Sequence, residues 1–151
     1  MSRRADAVAV AVLRGRDEQT QVLLIRRARG AFAGAWTFVM GLVEENERAT
    51  DAALRELGEE TALRCEAFYT AGELDTFYDP VKDRIVQVPY FVARVADDAV
   101  VLDEAHDAYR WMTFAEAEAL LEFAAQRRIL GEIRRAFVER DPAPWRSIAR
   151  A

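Results

Sequence analysis

Three glutamates are spaced so that a helix would bring their carboxylates onto one face. Glu56, Glu59 and Glu60 occupy positions i, i+3 and i+4 of segment 49–60, in which small and apolar residues recur at helical intervals. Like charges at these spacings repel each other by roughly 0.2–0.5 kcal/mol per pair. Convergent carboxylates suit Mg²⁺ or Mn²⁺, which bind oxygen and often bridge to substrate phosphates. By itself the pattern is more typical of a solvated helix face, so the surrounding residues must decide between the two.

The rest of the composition limits the other sites that the chain can build. Among 151 residues Cys65 is the only cysteine and His106 the only histidine. This excludes an internal disulfide framework, a cysteine-built zinc site and a multi-histidine metal site. Residues 42–63 hold seven acidic and two basic residues, and they account for the whole net charge of −5. Because a nucleic-acid groove needs positive charge, we expect no nucleic-acid polymer as a partner.

The length predicts a single domain over residues 1–151. No apolar run approaches 18 residues, so we expect no contact with a membrane. Residues 7–13 are apolar and follow two arginines, but they predict a first strand rather than a signal peptide. With one cysteine, a cytoplasmic location is the default expectation.

Periodicity places the glutamates within an α+β arrangement. Alternating or β-branched runs predict strands at 7–13, 21–27, 68–78, 85–95 and 109–112. Besides the acidic helix, two C-terminal helices are predicted over about 114–140. The first opens at the capping box Thr113-Phe114-Ala115-Glu116 and runs to about Phe123, and the second runs from about 126 to about 140. Strands and helices mix without strict alternation, which favours a single α+β domain.

The residues around the glutamates follow the frame G-x5-E-x7-R-E-U-x-E-E-x-G-U, in which U is a bulky apolar residue. The matching positions are Gly41, Glu47, Arg55, Glu56, Leu57, Glu59, Glu60 and Leu63. This frame, spanning residues 41–63, is the signature of the Nudix hydrolases (MutT-type), and the chain resembles that family. Ala62 stands where the motif has its last glycine, and we expect this departure to alter loop geometry rather than chemistry.

Features outside the motif resemble the bacterial dihydroneopterin triphosphate (dATP) diphosphatase branch of that family. They are Arg26-Arg27, Trp36-x-x-Val39-x-Gly41-x-Val43-Glu44-Glu45 and His106-x-x-Tyr109-x-Trp111. The resemblance implies an α/β/α sandwich with a mixed β-sheet between helices. It also implies Mg²⁺- or Mn²⁺-dependent hydrolysis of a nucleoside diphosphate linked to another moiety. A (deoxy)nucleoside or pterin triphosphate that releases pyrophosphate is the leading substrate class, and a homodimer is compatible with the family.

The resemblance also implies a metal-binding role for particular residues. Glu56 and Glu60 are expected to be the principal metal ligands. Glu59 would be a further ligand or the base that activates water, and the backbone carbonyl of Gly41 would join them. Divalent ions held in this way can neutralise developing phosphate charge and lower the pKa of an attacking water.

Glu47 and Glu104 are two further acidic residues with an expected role in catalysis. Arg55 is expected to form an ion pair with Glu47 and so to orient the carboxylates from behind. In the resembling branch, a further carboxylate stands just before the histidine of the His-x-x-Tyr-x-Trp element, but here that position is Ala105. Glu104 is expected to substitute through a shifted loop; otherwise the base must come from the helix, or activity is weak. His106 itself is expected to have a structural role, as a hydrogen-bonding residue.

Two arginines and two aromatic residues are candidates for substrate binding. Arg26 and Arg27 end a predicted strand, where one guanidinium could hold a terminal phosphate with two hydrogen bonds. Because neighbouring strand residues point to opposite faces, only one of them is expected to enter the site, and Arg27 is favoured. Phe77 and Tyr78 could stack on a base, although core packing is the commoner use of such residues.

Several functions use the same signature. Within the enzyme class, the alternatives are hydrolysis of oxidised nucleotides, dinucleoside polyphosphates or nucleotide sugars. A nucleotide-binding or regulatory domain with weak catalysis is an alternative of another class, and Ala62 and Ala105 motivate it. The three intact glutamates argue against a pure binding domain.

Overall fold

Seven strands and three α-helices form in the computed structural model, which describes residues 4–150. The strands are β1 (Ala7–Arg14), β2 (Gln21–Arg27), β3 (Trp36–Thr37), β4 (Val39–Leu42), β5 (Ala67–Asp79), β6 (Arg84–Arg94) and β7 (His106–Met112). The helices are α1 (Ala49–Thr61), α2 (Phe114–Leu120) and α3 (Ala124–Phe137). The acidic helix predicted from the sequence is therefore present as α1.

The strands form one mixed sheet with β1 at its centre. Its order is β3-β2-β1-β6-β5, while β4 pairs with β1 and β7 pairs with β2. The pairing of β1 with β6 is parallel, and the other strand pairs found in residues 4–150 are antiparallel. Seven of the eight residues of β1 are buried, because this strand is covered on both faces.

Each face of the sheet is covered by a helix. The face that holds Val8, Val10 and Val12, here called the α1 face, packs against the apolar side of α1. The opposite face, the α3 face, carries the alternating alanines of β1 and packs against Ile129 and Ile133 of α3. The two cores are separated by the sheet, so the predicted α/β/α sandwich is confirmed.

The C-terminal helices differ from the prediction in their limits. The first ends at Leu120, and α3 begins at Ala124 and ends three residues before the predicted limit. It ends there because Val138 and Glu139 both donate their backbone N–H groups to the Arg134 carbonyl, an arrangement that closes a helix. The predicted capping box of α2 is confirmed. Over residues 4–150, the helices are too short and too polar for any of them to cross a membrane.

Ala62 takes the backbone conformation for which the family motif has glycine. It lies directly after α1 with φ of 62°, in the left-handed region, and its N–H donates to the Gly58 carbonyl. An alanine in this conformation is strained, because its Cβ approaches the following carbonyl oxygen. The substitution therefore keeps the geometry of the turn and lowers its stability.

Replacing Ala62 with glycine should raise the free energy of unfolding by about 1 kcal/mol, because glycine adopts a positive φ without strain. Ala119→Gly is the matched control: Ala119 is exposed within α2, and glycine there should lower stability by about 1 kcal/mol. Urea unfolding monitored by circular dichroism compares the two. A loss of stability in Ala62→Gly would contradict the strain assigned to this turn.

Candidate active site

Helix α1 holds two of its carboxylates against strand β4. Gly41 pairs with Val8 of the central strand, and its missing side chain leaves room for Glu56. A Cβ at Gly41 would lie 2.1 Å from the Cδ atom of the Glu56 carboxylate, which is far inside van der Waals contact. The glycine of the motif is therefore required by the close approach of α1 to β4.

Glu60 is the most deeply buried of the three glutamates. Its side chain is 5% exposed, and the Met40 N–H donates to its Oε1 at 3.4 Å. Burial raises the pKa of Glu60 to about 9, with a further contribution from the adjacent Glu56 carboxyl. Glu56 and Glu60 are neighbouring carboxyl groups, and Glu60 is strongly desolvated. Such a pair favours binding of a cation or sharing of a proton between the two groups.

Arg55 is the positive group that organises the acidic residues. Its Nε and Nη2 donate to the two carboxylate oxygens of Glu47 at 2.8 and 3.0 Å, so the predicted ion pair is present and bidentate. Its Nη1 donates to Glu56 at 2.8 Å and to Glu59 at 3.1 Å. These contacts raise the pKa of Arg55, and the Arg55 hydrogen bonds lower the pKa of Glu47 to about 2. The arginine thus stays charged and sets the orientation of Glu56.

The donor set fits a hard divalent cation. As the side chains stand between residues 4 and 150, no three Asp, Glu, His or Cys side chains are grouped closely enough to hold a metal together. Glu56 and Glu60 nevertheless lie next to each other, with Glu56 against Gly41, and these two side chains are more than four-fifths buried. Glu59 is more exposed and is bound to Arg55. Carboxylate oxygens near a backbone carbonyl match the ligands that Mg²⁺ prefers.

His106 faces Glu60 because strand β7 contains a bulge. Arg26 pairs with Ala108 but Arg27 pairs with His106, so one extra residue is inserted in β7. The Nδ1 atom of His106 lies 2.7 Å from Oδ1 of Asp103, and its Nε2 lies 3.8 Å from Oε1 of Glu60. Because a carboxylate only accepts hydrogen bonds, Asp103 places the imidazole hydrogen on Nδ1 and directs Nε2 toward Glu60.

In the loop before His106, Asp103 contacts the site through its hydrogen bond with the His106 imidazole. Glu104 is exposed, and in the described part of the chain it takes part in no hydrogen bond or ion pair. Its predicted catalytic role rests on a loop rearrangement and stays a prediction. Asp103 is not among the site residues expected from the sequence, although its position three residues before His106 is a usable signal.

The two candidate arginines of β2 differ in their surroundings. Arg26 donates to Asp107 at 2.7 Å and lies over the ring of Trp36. Arg27 is the cross-strand partner of His106, and its buried Nε has no hydrogen-bond partner among residues 4–150. An unpaired guanidinium nitrogen beside the acidic site is available to an anionic ligand.

Phe77 and Tyr78 lie on opposite faces of the hairpin formed by β5 and β6. Phe77 pairs with Val86, which belongs to the core of the α3 face, and its ring is partly exposed. Tyr78 points to the other face and donates its hydroxyl to Asp83 near the turn. Only Phe77 therefore shares a face with the α3 core, and a stacking role for either residue stays a prediction.

The raised pKa of Glu60 makes the metal-free protein sensitive to pH. A carboxyl whose pKa is 4.5 when unfolded and about 9 when folded favours folding only while it is protonated. In EDTA, the free energy of unfolding should therefore decrease as the pH rises from 5 to 9. Glu60→Gln should remove this decrease and should be at least as stable as the parent at pH 8. Urea titrations across this range test it, and parallel pH curves for parent and variant would contradict the prediction.

Comparison with known proteins gives a consistent assignment. The NUDIX domain family model matches residues 3–132. A curated relative named octanoyltransferase, from Myxococcus xanthus, is 34% identical over 138 residues, which cover 83% of this chain and 37% of that protein. The chain thus spans little more than a third of this relative's length.

Solved structures share the fold. A Caenorhabditis elegans Ap4A hydrolase complex superposes with a TM-score of 0.72 at 22% identity, covering 85% of this chain and 94% of the other. The Escherichia coli dihydroneopterin triphosphate pyrophosphohydrolase gives a TM-score of 0.66 at 21% identity, covering 86% and 97%. With the motif on α1, the glycine against Glu56 and the family match over most of its length, the chain belongs to the Nudix family.

Proposed function

We propose that the chain is a divalent-metal-dependent pyrophosphohydrolase that cleaves a phosphoric anhydride bond of a small molecule. The observation that carries the proposal is the pair of adjacent, buried carboxylates: Glu56 packs against Gly41 with Arg55 behind it, and Glu60 accepts from the Met40 N–H. Buried neighbouring carboxylates are costly unless they serve a cation, and a phosphoanhydride substrate brings phosphate oxygens that share such a cation.

Glu56 and Glu60 would hold Mg²⁺ or Mn²⁺ together with the carbonyl of Gly41, and Glu59 would add a ligand or accept a proton from water. When bound, the metal would supply charge neutralisation on the phosphates and a lowered pKa for the attacking water. Arg55 positions Glu56 through its hydrogen bond at 2.8 Å and is itself anchored by Glu47. The contacts of Arg55 with Glu47 and Glu56 support these roles.

Two groups on the neighbouring strands would complete the site. The unpaired Nε of Arg27 would donate to a substrate phosphate oxygen. His106, held by Asp103, keeps its Nε2 toward Glu60 and would fix the orientation of that carboxylate. Glu104 remains the candidate for an additional base on the same loop.

The leading substrate class is a (deoxy)nucleoside or pterin triphosphate that is cleaved to release pyrophosphate. The experiment measures pyrophosphate and phosphate release with Mg²⁺ or Mn²⁺ at mildly alkaline pH. Its panel contains normal and oxidised nucleoside triphosphates, dihydroneopterin triphosphate, ADP-ribose and diadenosine polyphosphates. Release of pyrophosphate from a triphosphate well above the other compounds supports the proposal. No turnover by folded protein in the presence of metal would favour a nucleotide-binding domain instead.

Glu60→Gln should reduce kcat by a factor of a few hundred or more, because an amide binds a divalent cation much more weakly than a carboxylate. Glu118→Gln, which removes an exposed carboxylate on α2, is the control and should leave kcat within about twofold of the parent. Steady-state kinetics on the best substrate of the panel measure both. Near-normal turnover in Glu60→Gln would refute the metal-site assignment.

Arg27→Lys should lower kcat/KM by about 10- to 100-fold, because lysine cannot reproduce the planar, multidentate contact of a guanidinium with phosphate. Arg26→Lys is the matched control on the adjacent residue, whose guanidinium already pairs with Asp107, and it should change kcat/KM by less than threefold. Equal effects of the two substitutions would show that the unpaired Nε of Arg27 does not mark a phosphate contact.

Glu104→Ala tests the shifted-loop hypothesis for the base. If Glu104 enters the site during turnover, kcat should drop by about 100-fold or more, as general-base removal does. Asp103→Asn is measured beside it, since it perturbs the His106 orientation without removing Glu104. An unchanged rate in Glu104→Ala removes this residue from the catalytic set.

A further inference from the structure

Trp145 is a large aromatic residue that the fold leaves in solvent. It is 66% exposed, more than any other aromatic residue between residues 4 and 150. It belongs to the C-terminal segment, residues 141–150, which follows α3 and lies beyond the end of the family match at residue 132. Single exposed apolar side chains are common on protein surfaces, so the surroundings of this ring decide whether it has a use.

A bulge in β5 makes room for the Trp145 ring. The register of β5 with β6 shifts there, and Gly72 lies at the shift with φ of 71°. A Cβ at Gly72 would lie 3.2 Å from Cη2 of Trp145 and 2.9 Å from Nη1 of Arg146. Arg146 donates to the Ala71 carbonyl at 2.6 Å, which ties the C-terminal segment to the bulge. The ring is therefore held against the backbone of β5.

One face of the Trp145 ring is covered and the other is open. The guanidinium of Arg146 lies 4.4 Å from the ring centroid and thereby covers one face. Because the residue remains 66% exposed, the opposite face of the indole is accessible. Stacking on an open aromatic face is a general way to bind a flat heterocycle such as a nucleobase.

The ring borders a cavity of about 370 Å³ between the β5 bulge, the last turns of α3 and the C-terminal segment. This volume lies within the range of small-molecule sites. Its charged lining consists of three arginines and two glutamates, namely Arg135, Arg140, Arg146, Glu73 and Glu132. The cavity thus combines an aromatic surface with groups that bind anions and groups that accept N–H hydrogens.

Two of the charged side chains that line the cavity have no partner in the described part of the chain. Arg135 is paired with Glu132, and Arg146 is held by β5. Arg140 and Glu73, by contrast, make no hydrogen bond or ion pair to another residue between 4 and 150. A free guanidinium suits a phosphate group, and a half-buried free carboxylate suits the N–H groups of a heterocycle.

The cavity is separate from the acidic site on α1. The strands between the two sites follow the order β4-β1-β6-β5, so β5 lies about 14 Å from β4 at the usual strand spacing. Most of the residues that line the cavity, including Arg140 and Trp145, follow residue 132 and are not part of the family match. A ligand in this cavity would therefore not occupy the acidic site.

We propose that this cavity is a second, noncatalytic binding site for a flat heterocycle that carries a phosphate group, the chemistry of a nucleoside monophosphate. The heterocycle stacks on the open face of Trp145, Arg140 binds the phosphate, and Glu73 accepts an N–H group of the ring. This site is an addition to the proposed hydrolase function and does not depend on it.

Calorimetric titration in EDTA tests the proposal with AMP, adenosine and ribose 5-phosphate as probes. AMP should bind at least about tenfold more tightly than either fragment, because only AMP contacts the aromatic and the basic parts of the cavity together. Binding of ribose 5-phosphate as tight as that of AMP would show only an adventitious attraction of phosphate to arginines. That result, or no binding of AMP, would overturn the proposal.

Two residues of the cavity should determine the AMP affinity. Trp145→Ala should weaken binding by about 10- to 100-fold, whereas Trp145→Phe, which keeps an aromatic ring, should stay within about fivefold of the parent. Arg140→Gln should weaken binding by about tenfold, because a charged donor to the phosphate is lost. Arg64→Gln makes the same change of charge at an exposed arginine outside the cavity and should have less than a twofold effect. Equal effects of Arg140→Gln and Arg64→Gln would contradict the phosphate contact.

Arg27→Lys separates this cavity from the acidic site. It should leave the AMP affinity in EDTA within about twofold of the parent, since Arg27 does not line the cavity. If Arg27→Lys weakens AMP binding and Trp145→Ala does not, the nucleotide binds at the acidic site and the second site is refuted. No turnover of the substrate panel together with AMP binding that depends on Trp145 would contradict the hydrolase function alone.

Discussion

The enforced proximity of the Glu56 and Glu60 carboxylates is the constraint on which the site depends. The first lies where a Cβ of Gly41 would lie, and the second is almost completely buried and accepts from the Met40 N–H. Burial, with a further contribution from the adjacent Glu56 carboxyl, raises the pKa of Glu60 to about 9. The apolar packing of α1 on the sheet holds this unfavourable arrangement in place. Strongly shifted pKa values of this kind are common at functional sites.

Arg55 and strand β4 convert that constraint into a defined geometry. All three guanidinium nitrogens of Arg55 donate hydrogen bonds to acidic residues. Because Glu47 holds the guanidinium that binds Glu56, the orientation of Glu56 depends on Glu47 as well. Met40 of β4 contacts both sides of the sheet, because its backbone N–H donates to Glu60 while its sulfur contacts the Gln126 amide.

The acidic helix could be predicted because it depends on local spacing, whereas the sandwich and the Arg55–Glu47 ion pair were expected from the family resemblance. The i, i+3, i+4 glutamates and the capping box of α2 are fixed by helical periodicity. The contact of Asp103 with His106 and the role of Met40 could not be predicted, because they need the bulge in β7 and the pairing of β4 with β1. Long-range register leaves no mark in the local pattern. Alternation along β2 predicts only that one of Arg26 and Arg27 enters the site, and the unpaired Nε of Arg27 is visible only in three dimensions.

Binding of a divalent cation to α1 is the central claim, and calorimetric titration with Mn²⁺ tests it most directly. At pH 8, Glu60 of the metal-free protein is largely protonated, so binding should release about one proton. Titrations in buffers of different ionisation enthalpy count that proton. The account predicts proton release that disappears in Glu60→Gln together with most of the affinity. Binding of equal affinity in the variant, or binding without proton release, would contradict it.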